Sequence, residues 1–239
     1  GGPSTFMRNL KTYFDDVGYK YKSDISKSKH IFFPISYDLA FLKKIKKDKG
    51  AIIQRLDGIY YPQKHGASYQ EKNKLIKDIY LNYATKVVFQ SQYSKAQCFK
   101  LFGEKDTDDY EIIINGVNEA IFYPSNILTK SPKTFKFVTT GNFRNLDMLE
   151  PVIKALDAIS KFDFELNIIG PIVNDKLHAI INRDYINHLG SKDSHQIADL
   201  LREHHIFMYS HLNPPCPNSV LEAIASGLPV VGFNSGSMS

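Results

Sequence analysis

Short apolar runs of strand type alternate with helical stretches along the 239-residue sequence, and this rhythm constrains the fold more than any other feature. In the first half the runs are HIFFPI (His30–Ile35), AIIQR (Ala51–Arg55), KVVFQ (Lys86–Gln90) and EIII (Glu111–Ile114). Helical periodicity lies between them. It covers Tyr37–Lys47, then roughly Gln70–Tyr83 with Leu75, Ile76, Ile79, Tyr80 and Tyr83 as its stripe, then a helix capped by Ser91 or Ser94 and stopped by Gly103. Parallel strands need a long crossover, usually a helix. The alternation therefore predicts an α/β fold with a parallel sheet. A helix at the front carries Phe6, Leu10, Phe14 and Val17 on one face and stops at Gly18. It follows a glycine turn, Gly1-Gly2, of the kind that normally succeeds a strand. The expectation is a first strand missing ahead of Gly1.

The composition shifts at Phe122–Phe135, where prolines, serines and threonines replace any helical stripe. This predicts a linker at 124–134 between domains at 1–123 and 135–239. The alternation then resumes. KFVTTG (Lys136–Gly141), FELNIIG (Phe164–Gly170), YINHLG (Tyr185–Gly190) and HIFMYS (His205–Ser210) read as strands. Helices are expected at Leu146–Lys161, with Leu149, Val152, Ile153, Leu156 and Ile159 inward, at Asn174–Arg183, and from a cap at Asp193 to Arg202.

Composition excludes several classes. No run of about 18 apolar residues would make a spanning helix. Cys98 and Cys216 are too few for a disulfide framework, and no cysteine spacing suits a metal. His204-His205 has no third ligand at useful spacing and reads as the edge of the following strand. With no signal-peptide pattern at the front, a cytoplasmic setting is expected. The net charge of +5 includes an early lysine cluster, Lys20 to Lys49. Solvated faces account for it most simply; peripheral contact with an anionic membrane surface is the sharper alternative. Nucleic acid is not expected, because no aromatic-basic repeat accompanies the charge.

The last long stretch, NPPCPNSVLEAIASGLPVVGFNSG (Asn213–Gly236), reads as loop, helix N-terminus, helix, turn and strand. A helix N-terminus at a sheet edge can meet a phosphate with its N–H groups and its positive dipole end. This stretch resembles the nucleotide-sugar segment of family 4 of the retaining glycosyltransferases, which have the GT-B fold. GGPSTFMRNL, IIINGVNEAIFYP, FVTTGNFR, LNIIGP and INHLGS resemble further pieces of that family, in the expected order.

The resemblance implies two Rossmann-like parallel-sheet domains facing across a cleft, here clipped at both ends. It implies a UDP- or GDP-sugar held mostly by the C-terminal domain and a glycan or lipid-linked acceptor on the N-terminal domain. It also implies retention of the anomeric configuration, with no metal or other cofactor. A degenerate protein of the same fold, binding the nucleotide-sugar without turnover, is the alternative.

Residue by residue, the resemblance makes Glu222 the carboxylate that binds the donor ribose, a role suited to accepting from two vicinal hydroxyls. Ser219-Val-Leu-Glu222 also fits a capping box. Asn218, Ser219 and Val220 would offer N–H groups to the diphosphate, or form an ordinary helix start. Arg144, after the turn Gly141-Asn142, would stabilise charge on the departing phosphate; a surface arginine is the plainer reading. Asp57 stands where many relatives carry a histidine near the anomeric carbon, and is the expected catalytic residue; Asp-Gly is also a common turn pair. Arg55, two residues earlier, could pair with it. Gly1 and Gly2 match the family's glycine loop. Two positions depart from the family. Pro214 stands where many members carry a sugar-contacting glutamate, and Asp147 near a usual lysine.

Overall fold

The alternation folds as two separate parallel sheets, each with helices as crossovers. The computed structural model describes residues 2–21, 28–62, 66–124, 133–159 and 163–239. The chain divides into two compact units, Gly1–Asn115 and Gly116–Ser239.

In the first unit, Ile31–Pro34 (β1), Ile52–Leu56 (β2), Lys86–Phe89 (β3) and Tyr110–Ile112 (β4) pair in parallel in the order β1-β2-β3-β4. The described helices are Gly2–Asp16 (α1), Leu39–Lys47 (α2), Tyr69–Asn82 (α3) and Gln92–Phe102 (α4). Their ends follow local chemistry. The Asp38 carboxylate accepts from the Phe41 N–H at 2.7 Å and starts α2. Ser91 and Ser94 cap α4 reciprocally, so both candidate caps are used. Lys46 Nζ donates to the Asn82 carbonyl at 2.5 Å, meeting an orphan acceptor at the C-terminus of α3. Leu56, Ile76, Tyr80, Val87, Phe89, Cys98 and Phe102 form one core cluster, and Phe33, Leu42, Ile45, Ile52 and Ile79 another. Leu75, expected in the α3 stripe, is instead exposed.

In the second unit, Phe135–Thr140 (β5), Phe164–Ile169 (β6), Ile186–Gly190 (β7), Ile206–Tyr209 (β8) and Val230–Gly232 (β9) form a parallel sheet in the order β7-β6-β5-β8-β9. The order runs outward from β5 on one side and then on the other, which places a topological switch point between β5 and β8. The helices are Glu150–Asp157 (α5), Asp175–Ile180 (α6), Ser194–Arg202 (α7) and Asn218–Ala225 (α8).

Strand alternation sorts this unit's core into two layers. Phe137, Leu166, Ile168 and Met208 pack with Val152, Ile153 and Leu156 of α5 and Leu177 of α6. Val138, Ile169, Phe207 and Tyr209 pack with Ala198 and Leu201 of α7 and Val220 and Ala223 of α8. Each large aliphatic or phenylalanine side chain here, fully buried, is worth about 1.5–3 kcal/mol, and an alanine methyl about 0.8 kcal/mol.

The expected helix at Leu146–Lys161 is shorter than predicted: a 3₁₀ turn at Leu146–Met148 precedes α5, and Ile159 lies past its end, exposed. Pro151 explains the start, because proline is tolerated only in a helix's first turn. The segment after Asn115 packs with the second unit. Phe122 enters its core, Arg202 Nη1 donates to the Ile121 carbonyl at 3.0 Å, and the same guanidinium lies 4.2 Å from the Tyr123 ring centre. Most of the expected linker, 125–132, lies outside the described residues.

Candidate functional site

In an open α/β sheet, ligands bind beyond the carboxyl ends of the strands, at the switch point. In the second unit three adjacent strand ends at that edge carry glycine. β5, β6 and β7 are each completed or followed by a glycine: Gly141, Gly170 and Gly190. Gly170 has φ +124°, and a Cβ there would lie 1.8 Å from the Gly141 carbonyl oxygen. The ends are tied by Gly141 N–H donating to the Ile169 carbonyl at 3.0 Å and Gly170 N–H to the Gly190 carbonyl at 2.8 Å. His188 Nε2 also meets the Gly170 carbonyl, at 2.8 Å.

Across the switch point, the loops after β5 and β8 touch. Ser210 Oγ donates to the Met148 carbonyl at 2.7 Å, and the Phe143 and His211 rings meet edge-on. Arg144 is presented at this edge with an exposed side chain, its Nε donating to Asn142 Oδ1 at 3.2 Å. Its backbone is held by Asn174, whose amide donates to the Arg144 carbonyl at 3.0 Å while its Oδ1 caps α6. The sequence marks Asn174 as a helix start; its anchoring of Arg144 also joins loops thirty residues apart.

The loop after β8 runs into α8. Pro217 is the N-cap and contributes no side-chain bond, so the capping box Ser219–Glu222 does not form: Ser219 is already inside the helix. The Pro217 carbonyl accepts from the Val220 N–H at 3.1 Å and the Leu221 N–H at 3.2 Å. Val220 therefore has its N–H engaged, and the opening of α8 is carried by Asn218 and Ser219.

Glu222 sits one turn further in, half-buried. Among the described residues its carboxylate has no hydrogen-bond or ion-pair partner. Burial pushes its pKa up to about 7.

The N-terminal unit has its own polar edge. β2 is an interior strand, where apolar residues are expected, yet Gln54 and Arg55 are both buried in it. Gln54 Nε2 donates to the carbonyl of Ile35 at 2.8 Å. Ile35 has φ 65°, a left-handed conformation that costs a β-branched residue about 1–3 kcal/mol. Arg55 Nη1 pairs with Asp57 Oδ1 at 2.5 Å, so the pairing open from sequence is made. Burial raises the Asp57 pKa; the Arg55 charge and a side-chain hydrogen bond from Gln90 oppose that rise. The loop after β2 is pinned by Asn73, which accepts from the Tyr60 N–H at 2.9 Å and donates to the Tyr60 carbonyl at 2.7 Å. Gly2 opens α1, and Gly1 lies outside the described residues. The histidine pair has structural partners: His204 is buried against Leu200 and Asn167, and His205 Nδ1 accepts from the Lys136 N–H at 3.1 Å.

Residues 134–239 match the family described as Glycosyl transferases group 1. No curated protein matches the chain. Among solved structures, that of Anabaena HepE in complex with UDP and glucose is similar at TM-score 0.69 and 17% identity, over 83% of this chain and 57% of that one. Sucrose-phosphate synthase from Thermosynechococcus elongatus is similar at TM-score 0.67 and 16% identity, over 99% of this chain and 61% of that one. WaaG, a glycosyltransferase involved in lipopolysaccharide biosynthesis, is similar at TM-score 0.65 and 13% identity, over 84% and 64%. The chain thus spans less than two thirds of the length of these structures. At such identities the likeness shows the fold, two Rossmann-like α/β units.

Proposed function

We propose that this chain, whose residues 134–239 form a group 1 glycosyltransferase domain, belongs to an enzyme that moves a sugar from a nucleotide-sugar to a glycan or lipid-linked acceptor. The observation that carries the reading is Glu222. A half-buried carboxylate without a protein partner, at a sheet edge with glycines at its strand ends, calls for a ligand bearing hydroxyl donors. The ribose of a nucleotide supplies two on adjacent carbons. Asn218 and Ser219 at the start of α8 supply the positive end of a helix for the diphosphate, and Arg144 a cation on the same edge. UDP and UDP-glucose occur in the HepE structures, which supports a uridine nucleotide as the first donor to test.

Asp57 takes the chemical role, accepting from a sugar hydroxyl or steadying positive charge at the anomeric carbon with retention of configuration. Calorimetric titration with UDP and GDP, beside hydrolysis of UDP-glucose, tests the reading. Binding of neither nucleotide refutes it. Binding without hydrolysis or transfer assigns the chain to the alternative, a nucleotide-sugar-binding protein of the same fold. Pro214, in place of an acidic side chain, is the observation that favours that alternative.

A further inference from the structure

We propose that Arg55 is the positioning residue for Asp57: a buried, three-sided clamp that fixes the carboxylate without itself reaching a substrate. Its guanidinium is 1% exposed and engaged at both terminal nitrogens and on one face. Nη1 meets Asp57 Oδ1 at 2.5 Å, and Nη2 meets Asn115 Oδ1 at 2.5 Å. The flat face lies 3.7 Å from the ring centre of Phe6 on α1. The Asn115 amide reaches Gln90 Oε1 at 3.4 Å, and Gln90 in turn bonds the Asp57 side chain. Four side chains thus close a ring beyond the ends of β2, β3 and β4. Asp57, at 17% exposure, is the member of the ion pair that emerges.

Only arginine has the planar fork and the stacking face this arrangement uses; a lysine would supply one point charge. A carboxylate so held is fixed in orientation, and its two oxygens offer about four acceptor sites in all, enough to keep one for a substrate hydroxyl. Arg55 therefore acts through Asp57. The kinetic part of this inference rests on the catalytic reading of Asp57; the geometric part does not.

Two measurements on the full chain separate these parts. The first is the carboxyl ¹³C titration of Asp57. The groups that act on or are acted on by this carboxyl are the Arg55 charge, the Gln90 amide and the Tyr60 phenol. Arg55→Gln is expected to raise the apparent Asp57 pKa by about one unit or more, whereas Tyr60→Phe leaves it near the wild-type value. An unchanged value in Arg55→Gln overturns the clamp.

The second is a double-mutant cycle on UDP-glucose hydrolysis. Arg55→Lys is expected to lower kcat about tenfold with KM within about twofold, and Arg55→Lys with Asp57→Asn to be no slower than Asp57→Asn alone. Losses that multiply overturn the inference. Asn115→Ala, which cuts one arm and keeps the charge, is expected to lower kcat by less and also to be silent on Asp57→Asn; it decides the question if the Arg55 variants do not fold. If Asp57→Asn leaves kcat unchanged, or nothing is hydrolysed, the catalytic reading fails while the titration still decides the clamp.

Discussion

A side-chain carbon on Gly170 would lie 1.8 Å from the carbonyl oxygen of Gly141, so the ends of β6 and β5 approach to a distance only glycine permits. The contact sets the floor of the candidate donor site. Gly170→Ala must displace one strand end and adopt φ near +124°, where L-residues are strained. The expected cost is about 2–4 kcal/mol in urea denaturation, with UDP affinity reduced in the variant that remains folded.

In the proposed role, Glu222 lowers stability and is expected to raise donor affinity. Its folded pKa of about 7 lies above the ordinary carboxylate value, so the unliganded protein loses stability as pH rises from about 4.5 toward 7 and stays at the lower level above that. Glu222→Gln should therefore raise Tm at pH 8 and have little effect near pH 4.5, while weakening UDP-glucose binding. In wild type, ligand hydroxyls that bond the ionised form release about half a proton at pH 7, seen as a buffer-dependent binding enthalpy in calorimetry. The Gln variant should release none.

His204 contributes in the opposite pH direction to that of Glu222. Its Nδ1–H donates to the Leu200 carbonyl, and its Nε2 accepts from the Asn167 amide at 2.7 Å, which fixes the neutral tautomer. Burial lowers its pKa below the ordinary histidine value. As pH falls through about 6.5 the unfolded chain takes up a proton first, so folding stability drops by up to about 1.4 kcal/mol per pH unit until the folded pKa is reached. Denaturant titrations at pH 7.5, 6 and 5 should show that His204→Gln is less stable at neutral pH and that the gap narrows on acidification.

Pro214 is knitted to the segment beyond β9. Its carbonyl accepts from the Ser237 N–H at 2.9 Å, and a Cβ on Gly236 would lie 2.5 Å from that same oxygen. Gly236→Ala should free the loop after β8. Faster limited proteolysis within residues 211–217 is the expected readout, with UDP-glucose binding weakened more than UDP binding, as expected from the sugar-contacting role that the sequence resemblance implies for position 214.

The order of elements, the parallel sheets and the caps at Ser91 and Asp193 were legible because each rests on local chemistry: strand-type runs, helical stripes and short polar residues. Helix lengths were less so. Val17 and Ile159 continue an apolar stripe past the last helical residue and end exposed, since periodicity says nothing about where backbone bonds stop. Strand order could not be read, because alternation gives parallel pairing but not which strand sits beside β5. Asp57 in the first unit and Arg144 and Glu222 in the second are proposed from their place in motifs. Asn115, Gln90 and Asn174 are not, because their roles come from partners distant in sequence. Burial of Gln54 and Arg55 in an interior strand had one visible sign: two polar residues in a five-residue strand that is otherwise apolar.

The most direct test of the whole account is calorimetric titration of UDP and GDP into the wild-type chain and the Glu222→Ala variant. Saturable binding of one nucleotide to the wild type is expected, weakened in the variant by roughly 1–3 kcal/mol, as for a lost bond to a charged group. Equal dissociation constants for the two proteins, or binding of neither nucleotide to the wild type, would contradict it.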